Sequence, residues 1–303
     1  MTASAERRFA WEGVAFDAPA DWELAAHEKR QNVVRIRLED DDAVRFIGEW
    51  TRPASSGPDL SEIVRRFEAS ARTLRKTARR SESLPDLPPG WSSAVYEMPD
   101  GPTMGVAFYL APRRELFGVF ELHQKRGSLG EMKSRVRRFI ASFSYSPLDQ
   151  PRLWSCYDVT FVSPPFFELE EASFHAGLRQ MTFGRARRRL CLTFASLADI
   201  ALKRFQTPLG WALAALAADR RLPGPIFEAD QGRIRVRRRP FFGRYHYSEV
   251  WRGCFRYDIR YHHDPDRNQL ALLCFHYRRE SDRQWLAPLE SLFPPNPHPL
   301  RVQ

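Results

Sequence analysis

The chain has 303 residues, of which 43% are hydrophobic and 13% aromatic, so it carries enough apolar material for two folded cores and is not a disordered protein. No apolar run reaches the length of a membrane span, the first residues lack the apolar stretch of a secretory signal, and four cysteines are too few for a disulfide framework. These features predict a cytoplasmic protein that does not enter a membrane. The net charge of +10 is uneven: residues 1–150 hold 23 Lys and Arg against 22 Asp and Glu, and residues 151–303 hold 24 against 15.

Two stretches near the start of each half, FDAPADWEL at 16–24 and FVSPPFFEL at 161–169, follow one pattern at a spacing of 145 residues. Each has an aromatic residue, a proline three residues later, a bulky aromatic residue and then Glu-Leu. In the second stretch Phe166 replaces Trp22, and both rings are expected to lie in a core at equivalent places. We interpret the pair as the mark of an internal duplication.

The first half continues with strands and then a helix. Alternating apolar residues predict strands at Val33–Leu38 and Val44–Ile47, with a polar turn between them. A helix is predicted from a capping-box-like start at Asp59–Glu62, followed by a loop over 80–90 and a closing helix that begins with the capping box Ser128–Glu131. The apolar faces of these two helices are predicted to hold Ile63, Phe67, Ala71, Leu74, Val136, Phe139 and Ile140.

The second half shows the same order of features. Its predicted strands are Leu178–Phe183 and Leu190–Phe194. A helix carrying Ile200 and Phe205 is predicted to break at Thr207-Pro208, because proline cannot continue a helix. A loop is predicted over 223–232, and a second box, Ser281–Gln284, is predicted to open the closing helix. Three further pairs match in order along the two halves: Gly105 with Gly253, His123 with His276, and Ser128 with Ser281.

These features predict an α+β protein of two related domains, each an antiparallel sheet packed with helices. The predicted first repeat covers residues 1–146, and a proline-containing linker covers 147–151. The second, strongly basic repeat covers 152–293, and a proline-rich tail covers 294–303.

The first half resembles the PsbP-like fold in two places: the F-x-x-P-x-x-W motif at 16–22, and a closing helix that ends in Ile140-Ala141-Ser142-Phe143. That fold is an antiparallel sheet sandwiched by helices, and it occurs in a photosystem II extrinsic subunit and in a Ran-binding nuclear-transport protein. The second half departs from the pattern at Phe166 and ends in Ser291-Leu292-Phe293. The resemblance implies a fold, and because its members commonly bind partners rather than catalyse, it favours a binding protein.

No motif in the sequence points to a catalytic nucleophile, a phosphate loop or a dinucleotide site, and no cofactor or metal is predicted. The cluster from His262 to Asp266 is interpreted as a turn rather than a metal site, since adjacent strand residues face opposite ways. A hairpin centred on Asp264 would place Cys254 opposite Cys274 and Arg252 opposite His276. Two buried thiols are the expected result there, and a zinc site is the alternative.

Arginine on strand-like sequence is the most distinctive feature of the second half. In residues 232–239 and 254–261, arginines alternate with apolar residues, which predicts one basic face and one core face that includes Phe255, Tyr257 and Ile259. This basic face is either a solvated surface or an anion-binding surface. The candidate anion-binding residues are Arg233, Arg235, Arg237, Arg256 and Arg260.

The sequence therefore favours a non-catalytic binding or scaffold protein whose second domain contacts an anionic partner, with a protein as the expected partner. A nucleic-acid-binding accessory protein that uses the second domain is the alternative. An enzyme with an unrecognised site is the third possibility.

Overall fold

A computed structural model describes residues 5–30, 32–52, 72, 76–99, 101–111, 115–175, 177–218, 226–230, 233–237 and 247–293. The chain divides into two compact units, one of Met1–Pro147 with Ser155–Tyr157, and one of Leu148–Trp154 with Asp158–Gln303. The predicted helix over 59–74 falls almost entirely outside the described residues, and the predicted tail at 294–303 falls wholly outside them.

The first unit is built on a seven-stranded antiparallel sheet with the strand order β3-β4-β5-β9-β8-β7-β6. A hairpin of two strands precedes this sheet, and a helix and a short strand follow it. The elements are β1 (Glu6–Trp11), β2 (Val14–Pro19), β3 (Glu23–Arg30), β4 (Val33–Glu39), β5 (Val44–Thr51), β6 (Arg80–Ser83), β7 (Trp91–Glu97), β8 (Thr103–Leu110), β9 (Phe117–Gln124), α1 (Leu129–Ser142) and β10 (Ser144–Tyr145).

The second unit contains another seven-stranded antiparallel sheet, with the strand order β13-β14-β15-β19-β18-β17-β16. Its elements follow β11 (Arg152–Cys156), the strand whose last two residues belong to the first unit. They are β12 (Val159–Ser163), β13 (Glu168–His175), β14 (Leu178–Arg185), β15 (Arg188–Ser196), α2 (Ala198–Phe205), α3 (Pro208–Ala218), β16 (Ile226–Asp230), β17 (Arg233–Arg237), α4 (Tyr247–Arg252), β18 (Arg256–Asp264), β19 (Gln269–Tyr277) and the 3₁₀ helix η1 (Glu280–Leu292).

The two sheets have the same strand order, position for position. Each also has one bulge in its first strand pair, between Leu24 and Ala26 in one unit and between Leu169 and Glu171 in the other. Antiparallel sheets with helices in separate segments confirm the predicted α+β class.

Local sequence rules account for most of these elements. Along β4, Val34 and Ile36 are buried while Arg35 and Arg37 are exposed, as the two-residue period of a strand requires. The helix α1 begins with the predicted capping box: the Ser128 hydroxyl accepts from the backbone N–H of Glu131, and the Glu131 side chain accepts from that of Ser128. The predicted helix break also occurs, since α2 ends at Phe205 and α3 begins at Pro208.

Three local predictions are wrong. The predicted loops over 80–90 and 223–232 contain the edge strands β6 and β16. Both strands are short and β6 is polar, and both properties are common in edge strands. The closing segment of the second unit is a 3₁₀ helix that begins at Glu280, because the Asp282 carboxylate accepts from the backbone N–H groups of Arg278 and Arg279. Pro288 inside it has no N–H to donate.

The predicted equivalence of Trp22 with Phe166 is wrong by one residue. Trp22 is buried as predicted, but Phe166 is 43% exposed and adopts a positive φ of 63°. Its neighbour Phe167 is fully buried, and it is Phe167 that lies 145 residues after Trp22. The buried ring at the spacing of 145 residues from Trp22 is therefore that of Phe167.

The predicted hairpin register in the second unit is also wrong. Asp264 pairs with Gln269, so the turn occupies 265–268 and Ile259, not Cys254, lies opposite Cys274. Tyr257 takes the place predicted for Arg252 opposite His276. The predicted match of Gly105 with Gly253 is wrong as well, since Gly105 lies inside β8 and Gly253 precedes β18.

Helices cover the two sheets differently. In the first unit α1 packs on β2, β7 and β8, and a Cβ added at Gly105 would lie 2.3 Å from Cγ2 of Val136. In the second unit α2 and α3 cover a core that includes Ile234, Ile259 and Leu272. Among the described residues, the 3₁₀ helix η1 packs mainly on β12 and β19, and it contacts β18 through the pair of Arg283 with Asp258.

Candidate anion-binding cleft in the second unit

A cleft of about 390 Å³ lies beside the two strands that carry the predicted arginines. The ladder between β17 and β18 consists of two residue pairs, Arg233 with Arg260 and Ile234 with Ile259, although both strands continue beyond it. The volume lies within the range of small-ligand pockets. We call this feature the arginine cleft; its walls include Arg233, Arg235, Asp258, Tyr277 and Arg283.

The two faces of these strands are distributed as the two-residue period predicts. Ile234 and Ile259 are buried in the core beneath α2 and α3, and Tyr257 packs against the same core. Arg233 and Arg235 are exposed on the opposite face. The prediction that Phe255 faces the core is wrong: its side chain is 41% exposed, and the residue precedes β18.

A buried carboxylate organises the inner wall of the cleft. Asp258 is 5% exposed and accepts two hydrogen bonds from Arg260, at 2.8 and 3.1 Å, and one from Nε of Arg283 at 3.0 Å. Burial alone would raise the pKa of Asp258, but the hydrogen bonds and charges of the two arginines outweigh it and hold that pKa below its ordinary value. Asp258 is therefore a fixed negative charge, and it offsets the repulsion between Arg260 and Arg233, which lie directly opposite each other.

A second, exposed carboxylate lies at the rim. Glu280 accepts from Arg256 at 2.6 Å and from Arg283 at 2.8 Å, and these hydrogen bonds lower the pKa of Glu280. The hydrogen bond that Arg283 donates to Glu280 is also the main cause of the raised pKa of Arg283. Arg283 and Glu280 were missed at the sequence level because they belong to the closing segment. Their spacing of three residues on one helical turn was the available signal.

Arginines and carboxylates lie side by side in and around the cleft. Three arginines, Arg233, Arg235 and Arg283, line it together with Asp258, while Arg256 pairs with Glu280 and Arg260 with Asp258. On the neighbouring strand β16, Asp230 lies opposite Arg233 and Glu228 lies opposite Arg235. The side chain of Arg237, the remaining predicted residue, lies outside the described part of the chain. Guanidinium groups bind carboxylates and phosphates through paired hydrogen bonds, so the chemistry of the cleft suits an anion.

The cysteine and histidine residues do not gather at this cleft. The thiol of Cys254 donates to the carbonyl of Arg187 at 3.3 Å, and its own carbonyl lies 2.6 Å from Nε2 of His276. All four cysteines are free. Within the described residues, no group of three His, Cys, Asp or Glu side chains is placed to hold a metal ion. The segment after His263 forms the predicted turn, in which the Asp264 carboxylate accepts from the backbone N–H of Arg267.

A larger cleft, of about 780 Å³, lies in the first unit beside α1. Its described lining contains no Ser, Cys or His, so it offers no nucleophile of those types. Asp40 in its wall is paired with Arg45; burial would raise the pKa of Asp40, but the bonds from Arg45 and two backbone N–H groups hold it below its ordinary value. Asp40 is therefore an anion near neutral pH and not a proton donor.

Among the described residues, no helix is long and apolar enough to cross a membrane.

No protein-family model matches the sequence, and a comparison with curated proteins finds no match either. Six solved chains match the structure. One of them is the Ran-binding protein Mog1p of Saccharomyces cerevisiae, with 12% sequence identity and a TM-score of 0.30 over 47% of this chain and 96% of that chain. A likeness this loose assigns neither a function nor a site residue to the chain.

Proposed function

We propose that the protein is a non-catalytic cytoplasmic binding or scaffold protein of two related α+β domains, and that its second domain contacts an anionic protein partner. The observation that carries this proposal is the group of three arginines, Arg233, Arg235 and Arg283, that lines one cleft beside β17 and β18. Arg256 and Arg283 share one exposed carboxylate, and exposed pairs of this kind are weak enough to exchange for a partner's carboxylate.

Internal duplication is part of the proposal. The identical strand order of the two sheets supports it, as do the two bulges that lie 145 residues apart. The strands that occupy the corresponding places in the first sheet are β7 and β8, where Ser93 pairs with Ala107 and Val95 pairs with Gly105. The arginines are thus a property of one unit only, and related units that differ at one place point to a function at that place.

Removing two arginines from the cleft tests the proposal. The full chain and the variant Arg233→Ala/Arg235→Ala are titrated with fluorescent polyglutamate at two salt concentrations. The matched control is Arg35→Ala/Arg37→Ala, which removes two exposed arginines at the same spacing from β4 of the first unit. The cleft variant should bind about tenfold more weakly, the equivalent of about 1.4 kcal/mol from two rim charges, and the control should bind like the parent protein.

Salt and a second probe separate this proposal from the alternatives. Binding should weaken at the higher salt concentration, because exposed charges are screened. Equal loss in both arginine variants would show that net charge, and not the cleft, attracts the probe. Tighter binding of oligothymidylate than of polyglutamate, with a steep salt dependence, would favour the nucleic-acid alternative.

A further inference from the structure

The cleft of about 780 Å³ in the first unit combines apolar side chains with a charged rim. Its lining comes from β2, the turn between β4 and β5, the end of β9, and α1. The large apolar residues of the lining are Phe16, Trp22, Leu122 and Phe139. All four are buried, whereas the charged lining residues are partly or fully exposed, so the apolar side chains form the floor. The volume is in the range of small-ligand pockets, and the floor offers a surface for the apolar body of a ligand.

Arg135 of α1 lies beside this floor without a counter-ion. The central carbon of its guanidinium is 5.8 Å from the centre of the Trp22 ring, a distance typical of a cation–π contact. Within the part of the chain that the structure describes, the Arg135 side chain forms no hydrogen bond and no ion pair. Burial and the charges of Arg138 and Arg45 lower the pKa of Arg135, and they outweigh the attraction of two nearby carboxylates. The N–H groups of Arg135 are therefore free to bind an anion.

The carboxylates of the lining do not provide that anion. Three of the five are already paired with other arginines, namely Glu6 with Arg138, Asp17 with Arg8, and Asp40 with Arg45. The remaining two, Asp21 and Asp42, are exposed at the rim. Three lining cations, Lys125, Arg126 and Arg135, form no ion pair with any residue that the structure describes. Only Arg135 among these three is partly buried, so the unpaired cation lies where the charged rim meets the apolar floor.

We propose that this cleft binds a small organic carboxylate with an apolar body, whose carboxylate pairs with Arg135 and whose body lies on the floor beside Trp22 and Phe139. The site belongs to the first unit and does not depend on the proposed function of the second. Arg135 sets the charge of the ligand, because a cation would leave its guanidinium unpaired. The floor sets the apolar body, because a small hydrophilic anion would leave that surface in contact with water.

Calorimetric titration of the full chain with three probes tests the charge and the apolar body separately. Octanoate has both features, octylammonium has the apolar chain with the opposite charge, and acetate has the carboxylate without the chain. Octanoate should bind at least about tenfold tighter than either of the others. This comparison requires no substitution. Equal or tighter binding of octylammonium, equal binding of acetate, or no binding of octanoate would each overturn the inference.

Two substitutions on α1 test the role of Arg135. Arg135→Met removes the charge and keeps an unbranched side chain, and Arg137→Met removes an exposed arginine of the same helix that does not line the cleft. Octanoate should bind Arg135→Met about tenfold more weakly and Arg137→Met like the parent protein. Because Arg135 has no ion pair to lose, the thermal midpoint of Arg135→Met should not fall, which checks that the variant folds.

Unchanged octanoate binding in Arg135→Met, or an equal loss in both methionine variants, would overturn the inference. The variant Arg233→Ala/Arg235→Ala should bind octanoate like the parent protein, and a loss there would place the carboxylate in the second unit instead. Conversely, Arg135→Met should bind polyglutamate like the parent protein. The inference and the proposed function can thus fail independently of each other.

Discussion

The Asp258 carboxylate is the negative charge around which the arginine cleft is built, and Asp258→Asn tests that role. Asparagine has nearly the shape of aspartate, so the substitution leaves the packing of β18 in place and removes only the charge and part of the acceptor capacity. Arg260 and Arg283, which donate to this carboxylate at 2.8 and 3.0 Å, lose their shared counter-ion.

The expected cost follows from how exposed each partner is. The side chain of Asp258 is 2% exposed, that of Arg260 13% and that of Arg283 38%. Removing one partner of a buried pair costs about 3–5 kcal/mol, because the remaining charge is left uncompensated. Arg283 is partly exposed and still has its ion pair with Glu280, so solvent screens the charge that the substitution leaves on it. Arg260 remains mostly buried opposite Arg233, and we expect a cost near the low end, about 3 kcal/mol.

Urea unfolding of the full chain, followed by far-UV circular dichroism, measures this cost. The control is Asp17→Asn, which removes an exposed partner of Arg8 at 3.0 Å and should cost less than about 1 kcal/mol. An Asp258→Asn cost no larger than that of the control would refute the buried-counter-ion argument. The double variant Asp258→Asn/Arg260→Met should cost less than the sum of the two single variants, because the two residues share one interaction.

Three further predictions concern pH and packing. The lowered pKa of Asp258 contributes stability that is present above about pH 4 and is lost as the pH falls through the folded-state pKa, so acid titration of the unfolding midpoint should be shallower in Asp258→Asn. In thermal and urea unfolding, Phe167→Ala should cost about 3–5 kcal/mol and Phe166→Ala less than about 1 kcal/mol, and the reverse order would restore the original core assignment. Gly105→Val should cost about 1–3 kcal/mol or more, because its Cβ would lie 2.3 Å from Val136; no change in the urea midpoint would show that α1 shifts freely.

Features decided by neighbouring residues were predictable from the sequence. The alternation along β4, the capping box at Ser128 and the helix break at Pro208 each depend on a few adjacent residues. The core side of Tyr257 and Ile259 was predicted for the same reason, since the parity of a strand does not depend on which strand it pairs with.

Features decided by distant residues were not predictable. The partner of Cys274 depends on the length of the turn that joins β18 and β19, and an error of a few residues there changed every pair in the hairpin. Arg283 was missed because it reaches the cleft from η1, which follows β18 and β19 in the chain. The alternation of residues within 254–261 carries no information about the contact between Arg283 and Asp258.

The two sheets differ at the pair of strands that carries the proposed arginine cleft. Where β7 and β8 meet in the first unit, Val95 and Gly105 are apolar or small, and α1 packs onto those strands. Guanidinium groups at the corresponding place, such as those of Arg233 and Arg260, would lose their hydration beneath a helix and would need a carboxylate each. Asp258 is the buried carboxylate there, so a closing helix that covered the whole face would leave buried charge unpaired. With η1 packed mainly on β12 and β19, Arg233 and Arg235 are exposed, as a binding surface requires, while Arg260 stays mostly buried against Asp258.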